Sequence, residues 1–249
     1  GLGLALIAAG KCEYRFAAPR LKLPELKTIF AIGSAEFIGQ VSVTIVTYIY
    51  NAVLLARMGL PGVAAYAVSG YLSFVEYMFI LGFMQGLCPL TARCEGSGDR
   101  VGARAWLGTA LKASLSVAAG LMILGLAMPE ALARIFFAAD GRGAALAEVI
   151  PLAKTAIVLT ALSFAPGTYS AMATAFFSSV GRARSAALIA SLRGLVLVSA
   201  FAILFPLALG DIGVWLALPA AEILTFAVAA LEMRKWRGEA AMSAPAALG

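Results

Sequence analysis

The sequence predicts an all-α, polytopic membrane helix bundle, and three observations carry that prediction. Hydrophobic residues fill 62% of the 249 positions and mean hydropathy is +0.93, while charged residues make up 13%, about half the share found in a soluble domain. Six apolar stretches reach the roughly 20 residues that cross a bilayer. The basic residues gather in alternate connections between those stretches, the pattern of membrane proteins whose basic loops stay in the cytoplasm.

In chain order, GLGLALIAAG at 1–10 reads as the tail of a preceding transmembrane helix, opening without a methionine, and 11–28 as a basic cytoplasmic linker. A six-helix transmembrane lobe follows over 29–233. Its spans are Ile29–Leu55, Tyr66–Pro89, Ala105–Met128, Ala147–Phe177, Ala186–Leu209 and Val214–Met233, each bounded by glycine, proline or charge. The run from Ala147 contains Pro151 and the Pro166-Gly167 pair, so it is either one kinked helix or a short surface helix leading into a span. Ahead of it, Pro129–Glu148 has the amphipathic spacing of short helices lying in the outer interface around a turn at Asp140-Gly141. Residues 234–249 are expected to be a disordered cytoplasmic tail, because small residues with a proline dominate its end. No stretch has the make-up of a secretory leader.

Thirteen of the 19 basic residues fall on one side of this scheme. They lie between Lys11 and Lys27, at Arg93, Arg100 and Arg104, at Arg182 and Arg184, and at Arg234, Lys235 and Arg237. Arg57, Arg134, Arg142 and Lys154 fall on the other, and Lys112 and Arg193 lie inside spans. The first group is thereby placed in the cytoplasm and the protein in a cell inner membrane, with the lipid bilayer as its partner. The net charge of +6 is spread over short loops rather than gathered in a patch, which excludes a nucleic-acid partner.

The chemistry the chain can carry is narrow. There is no histidine, and the three cysteines, Cys12, Cys88 and Cys94, have no metal-ligand spacing, so structural zinc and histidine-based catalysis are excluded. Cys88 and Cys94 read as reduced, space-filling thiols. No pair of aspartates lies within spans, so no catalytic dyad is formed, and neither an enzyme nor a cofactor is expected.

What the spans do contain is polar side chains where hydrocarbon makes them costly. In EFIGQVSVTIVTYIYN, Glu36, Gln40, Thr44, Thr47 and Asn51 recur at helical steps of four, four, three and four. They form one stripe on one face, which must look towards other helices or a cavity. Glu76 shares a face with Ser69 and Ser73 near mid-span. At that depth the carboxylate is costly, so Glu76 either exchanges a proton reversibly or is held by neighbouring helices or Arg193. Glu222 can anchor a helix pair. Arg193, near the cytoplasmic end of its span, is expected to snorkel to the headgroups. Ser163, Gly167, Ser170, Thr174 and Ser178 make a small-residue face suited to close helix packing. Tyr77, Met78, Phe79, Phe83 and Met84 either line an adaptable cavity or face lipid.

Several stretches together resemble the multidrug and toxic compound extrusion (MATE) transporters. NAVLLARMGLPGVAAYAVSGYL at Asn51–Leu72 resembles the end of the family's seventh helix, the outer turn and the start of the eighth. GFMQGLCPLTARCEGSGD at Gly82–Asp99 places Gly82, Gly86, Pro89 and Gly96 on a family glycine-proline segment. VGRARSAALIASLRG at Val180–Gly194 and LGDIGVWLALPAAE at Leu209–Glu222 resemble the connection of the tenth and eleventh helices and the start of the twelfth. The resemblance implies the C-terminal six-helix lobe of a twelve-helix antiporter, with a central cavity shared with an N-terminal lobe. Such transporters expel small organic cations or amphipathic compounds in exchange for H+ or Na+. Two positions depart from the sodium-linked branch: its seventh-helix acid falls at Gln40, and its tenth-helix acid falls near Gly167. The alternatives are a lipid-linked oligosaccharide flippase of the same superfamily, which would need arginines and lysines in its cavity, and a non-transporting assembly subunit.

Overall fold

The computed structural model describes residues 23–138 and 146–242, with side chains over 41–137 and 148–239. Every element among the described residues is helical. Helix α1 (Leu23–Gly96) starts ahead of the expected Ile29 and is broken at Gly59, whose φ of 66° reverses the chain without a loop. Only glycine takes that backbone conformation without strain, and Pro61 then starts the second segment in a first-turn position it tolerates. Helices α2 (Arg100–Ala127) and α3 (Pro129–Ala138) follow, then α4 (Leu146–Leu162) and α5 (Phe164–Ser179). Next come α6 (Ala183–Ser191), a five-residue π-helical turn at Leu192–Val196, and α7 (Leu197–Leu209). Helix α8 (Asp211–Met242) closes the chain.

Four of these stretches are individually long and apolar enough to cross a membrane: Val41–Gly96, Arg100–Ala127, Ala183–Leu209 and Asp211–Glu239. The first, at 56 residues, would be about 84 Å long if straight. Its break at Gly59 makes two bilayer lengths of it. The run beginning near Ala147 resolves as α4 and α5, bent by 43°. Pro166 is the cause, since it lacks an amide hydrogen and its ring clashes with the carbonyl four residues earlier.

The described residues up to Val41 and those from Ser42 onward form two compact units. In the larger one, buried apolar side chains gather into two cores. One includes Leu54, Val68, Ile157, Phe164, Val198 and Trp215. The other includes Leu87, Leu107, Phe176, Ile189, Met233 and Trp236. Helix α8 corrects the expectation of disorder from residue 234. It continues to Met242, because Trp236, 4% exposed, packs edge-on against Phe176 at 4.8 Å and holds the last turns to α5. Residues 243–249, and the expected helix tail and most of the linker at 1–22, lie outside the described residues.

Helix α3 is the amphipathic helix expected between the third and fourth spans, while the turn at Asp140-Gly141 lies outside the described residues. Glu130, in its first turn, accepts from Lys154 Nζ at 2.9 Å and from Arg134 at 2.8 and 3.1 Å. Those hydrogen bonds, Lys154's first, hold the Glu130 carboxyl below the usual carboxylate range.

Candidate functional site

Four elements each bring one polar group to the level where the two apolar cores meet. On α1, Glu76 lies between Leu72 of the first core and Leu87 of the second. On α5, Gly167 and Thr168 lie between Phe164 and Met172, and on α8 Glu222 lies between Ala221 and Ala229. In the π turn, Arg193 lies between Ile189 and Val198. A polar layer between two apolar ones is the arrangement expected where polar groups sit at mid-bundle and must satisfy one another.

They do so across helices. Arg193 Nε donates to both carboxylate oxygens of Glu222, at 2.9 and 3.2 Å. The Glu222 side chain is 8% exposed and that of Arg193 26%. The Thr168 hydroxyl donates to Glu76 Oε1 at 2.9 Å, and Glu76 is 7% exposed. Glu76 also lies close enough to feel the attraction of Arg193 and the repulsion of Glu222. Gly167 makes this closeness possible: a Cβ there would lie 3.3 Å from the Glu222 carboxylate and 3.5 Å from an Arg193 guanidinium nitrogen. The carboxylate of Glu222 thus fills the space that a side chain at position 167 would take.

The expectation that Arg193 snorkels is corrected. Its helix begins at Ala183 rather than Ala186, which puts Arg193 about 15 Å into the span. There it bonds Glu222 instead of headgroups. The π turn, a widened turn common at functional sites, carries it. Glu222 does anchor a helix pair, joining α8 to the π turn.

A cavity of about 460 Å3 opens beside the cluster, and Arg193, Glu222, Thr47, Tyr66, Tyr77 and Met84 contribute to its wall. Of the expected stripe, Thr47 faces this cavity. Asn51 turns one amide hydrogen back to the Thr47 carbonyl at 2.9 Å, a local bond that leaves less of the side chain for a ligand. Thr44 is exposed, and the side chains of Glu36 and Gln40 lie outside the described residues. Ser163, Gly167 and Ser170 are buried as the packing reading requires, whereas Ser178 is exposed. Of the candidate cavity side chains, Tyr77 and Met84 reach the wall, while Met78 and Phe79 are exposed elsewhere. Cys88 and Cys94 are free thiols, the former donating weakly to the Ala175 carbonyl at 3.7 Å. Sequence reasoning missed Thr168, which no charge or spacing marks. It also missed the union of Glu222 with Arg193, although two opposite charges inside neighbouring spans were the available signal.

The MatE family pattern matches residues 36–210. No curated protein matched. Among solved structures, a MATE in complex with MaL6 superposes with a TM-score of 0.81 at 19% identity, over 94% of this chain and 52% of that one. A MOP superfamily transporter from Pyrococcus furiosus, described as having a binding pocket of reversed polarity that suggests a different function, superposes with a TM-score of 0.80 at 19% identity over the same shares. A multidrug resistance MATE family transporter in an outward-facing conformation gives a TM-score of 0.74 at 18% identity, over 94% and 52%. The chain spans about half the length of each. With more than half of its sequence matched by the family pattern and its helices superposing on these structures, the chain belongs to the MatE family of membrane transporters.

Proposed function

We propose that this chain is the C-terminal half of a cation-coupled antiporter, driven by H+ or Na+, that exports cationic or amphipathic small molecules across an inner membrane. The observation that supports this most is the cavity of about 460 Å3 whose wall carries the Tyr66 and Tyr77 rings among mostly apolar side chains. Aromatic faces attract organic cations, and the apolar remainder suits an amphipathic body. The likeness to structures of twice the length supports a second, N-terminal six-helix lobe closing the other side, as alternating access requires. On this reading Glu36, Gln40, Thr44, Thr47 and Asn51 line the passage, Glu76 serves ion coupling, and the basic helix ends face the cytoplasm. A flippase for pyrophosphate-linked lipids would need free cations on the wall, whereas Arg193 is already engaged by Glu222.

The test is efflux of ethidium from a pump-deficient bacterium carrying the chain together with its partner lobe. Glu36→Gln, Gln40→Ala and Glu76→Gln are compared with the parent at matched membrane expression. Loss of efflux in the variants is the expected result. Parent-level efflux in all three returns these residues to bundle packing, and a parent that exports nothing overturns the antiporter.

A further inference from the structure

We propose that Glu76, Arg193 and Glu222 form a one-proton site: two carboxylates share one guanidinium, and the charge left over is neutralised by a proton rather than by a sodium ion. This deepens the antiporter reading by naming its coupling ion, and it rests on that reading only for the use made of the proton.

Glu76 on α1 and Glu222 on α8 are both more than nine-tenths buried, and Arg193 is the one basic side chain that meets them among the described residues. Thr168 and Gly167 of α5, facing the cluster from the remaining side, are neutral, as is the neighbouring Tyr77 ring. Two acids against one guanidinium leave one negative charge at the junction of two apolar cores, where an uncompensated charge is not stable. The geometry locates it. Arg193 gives its Nε to Glu222, while Glu76 has no ion pair within 4.0 Å among the described residues and receives one hydroxyl hydrogen from Thr168. That is the environment of a neutral carboxylic acid, whose oxygen accepts from Thr168.

The same inventory disfavours sodium. A hard cation needs a shell of several oxygens. Here both Glu222 oxygens are engaged by Arg193, whose own charge repels a second cation. Glu76 and the Thr168 hydroxyl remain. Among the described residues, no group of three or more acids, cysteines or histidines gathers to hold a metal ion. A proton needs one oxygen, and its release has an acceptor ready. When Glu76 ionises, Arg193, bonded to Glu222 and within electrostatic range of Glu76, is drawn towards both acids, so its contact with Glu222 loosens at the edge of the cavity. Deprotonation is thereby linked to the wall where an exported cation would bind.

The experiment is an infrared difference titration of the purified protein in lipid nanodiscs, reading the carbonyl stretch of protonated carboxyl groups. The parent is expected to show one such band that disappears as pH rises and is unchanged when potassium chloride is replaced by sodium chloride. Glu76→Gln should abolish it. Glu222→Gln should abolish it too, because Arg193 then compensates Glu76 alone, whereas Arg193→Gln should add a second acid band. Thr168→Val, which keeps the charge count, should shift the band without removing it, and this variant serves should the arginine variant fail to fold. A band that survives Glu76→Gln or Glu222→Gln, that is not moved by Thr168→Val, or that sodium abolishes at constant pH overturns the proposal. A titrating band in a protein that exports nothing overturns the antiporter reading alone.

Discussion

The stripe on the first segment of α1 and the cluster around Glu76 are both polar features of apolar helices, and they differ in who supplies the partners. Along the stripe, Asn51 bonds its own helix four residues back. In the cluster, the bonds to Glu76 and Glu222 cross from one element to another: α5 to α1, and the π turn to α8. A side chain satisfied within its own helix can be altered with little effect on the rest of the bundle. One satisfied across helices fixes their mutual placement, and removing it strands a partner in a region without water.

The comparison breaks most directly at Glu222. Replacing it by leucine removes the one carboxylate bonded directly to Arg193 and leaves the guanidinium only the more distant Glu76, which is expected to cost about 3–5 kcal/mol and to lower the thermal unfolding temperature in detergent sharply. Asn51→Ala on the stripe should stay within about 0.5 kcal/mol, and equal losses in the two would erase the distinction. Next in size, Gly167→Val pushes atoms into the Glu222 carboxylate that lies 3.3 Å from the added Cβ. A cost of about 1–3 kcal/mol together with loss of efflux is expected, and a stable, active variant would show that the close approach is not needed. Thr168→Val removes the hydrogen bond to Glu76 and should cost about 1 kcal/mol in the same melt, against a near-neutral Asn51→Ala. The smallest effect lies outside the membrane. Because Lys154 and Arg134 hold the Glu130 carboxyl below its usual range, the tie it makes is present at neutral pH and is lost as pH falls below about 4.3, the ordinary glutamate value. Hydrogen exchange in α3 should therefore accelerate on that acid limb in the parent and be flat, and fast throughout, in Glu130→Gln.

The fold was legible because hydrophobic length is a one-dimensional signal: each expected span lies on a helix or on the α4–α5 pair. The boundaries were less so. Ala183, three residues before the expected start, is as compatible with a loop as with a helix by composition, yet it decides whether Arg193 reaches the headgroups or the middle of the bundle. The end of α8 was misread because small residues with a proline look like unstructured chain, until Trp236 is seen docked on Phe176. In the site, Glu76, Glu222 and Arg193 were each visible as costly groups in hydrocarbon. Their convergence was not, because residues 76, 168, 193 and 222 share no periodicity; only the packing of four elements brings them together. Thr168 carried no signal, for a threonine in an apolar helix most often bonds its own backbone, as Thr174 does to the Ser170 carbonyl at 2.9 Å.

The π turn at Leu192–Val196 has a further consequence, for the history of the chain. A π turn is an α-helix with one residue too many, so an ancestor lacking that residue would have carried an unbroken helix from 183 to 209. Taking it out rotates everything on one side of the turn by about 100° relative to the other. Arg193 and the face of α7 then can no longer be aimed independently. A single inserted codon is thus enough to let a helix present a charged group to its neighbours without turning its apolar flank away from them, and the reverse deletion would undo the polar layer by rotating Arg193 relative to the face of α7.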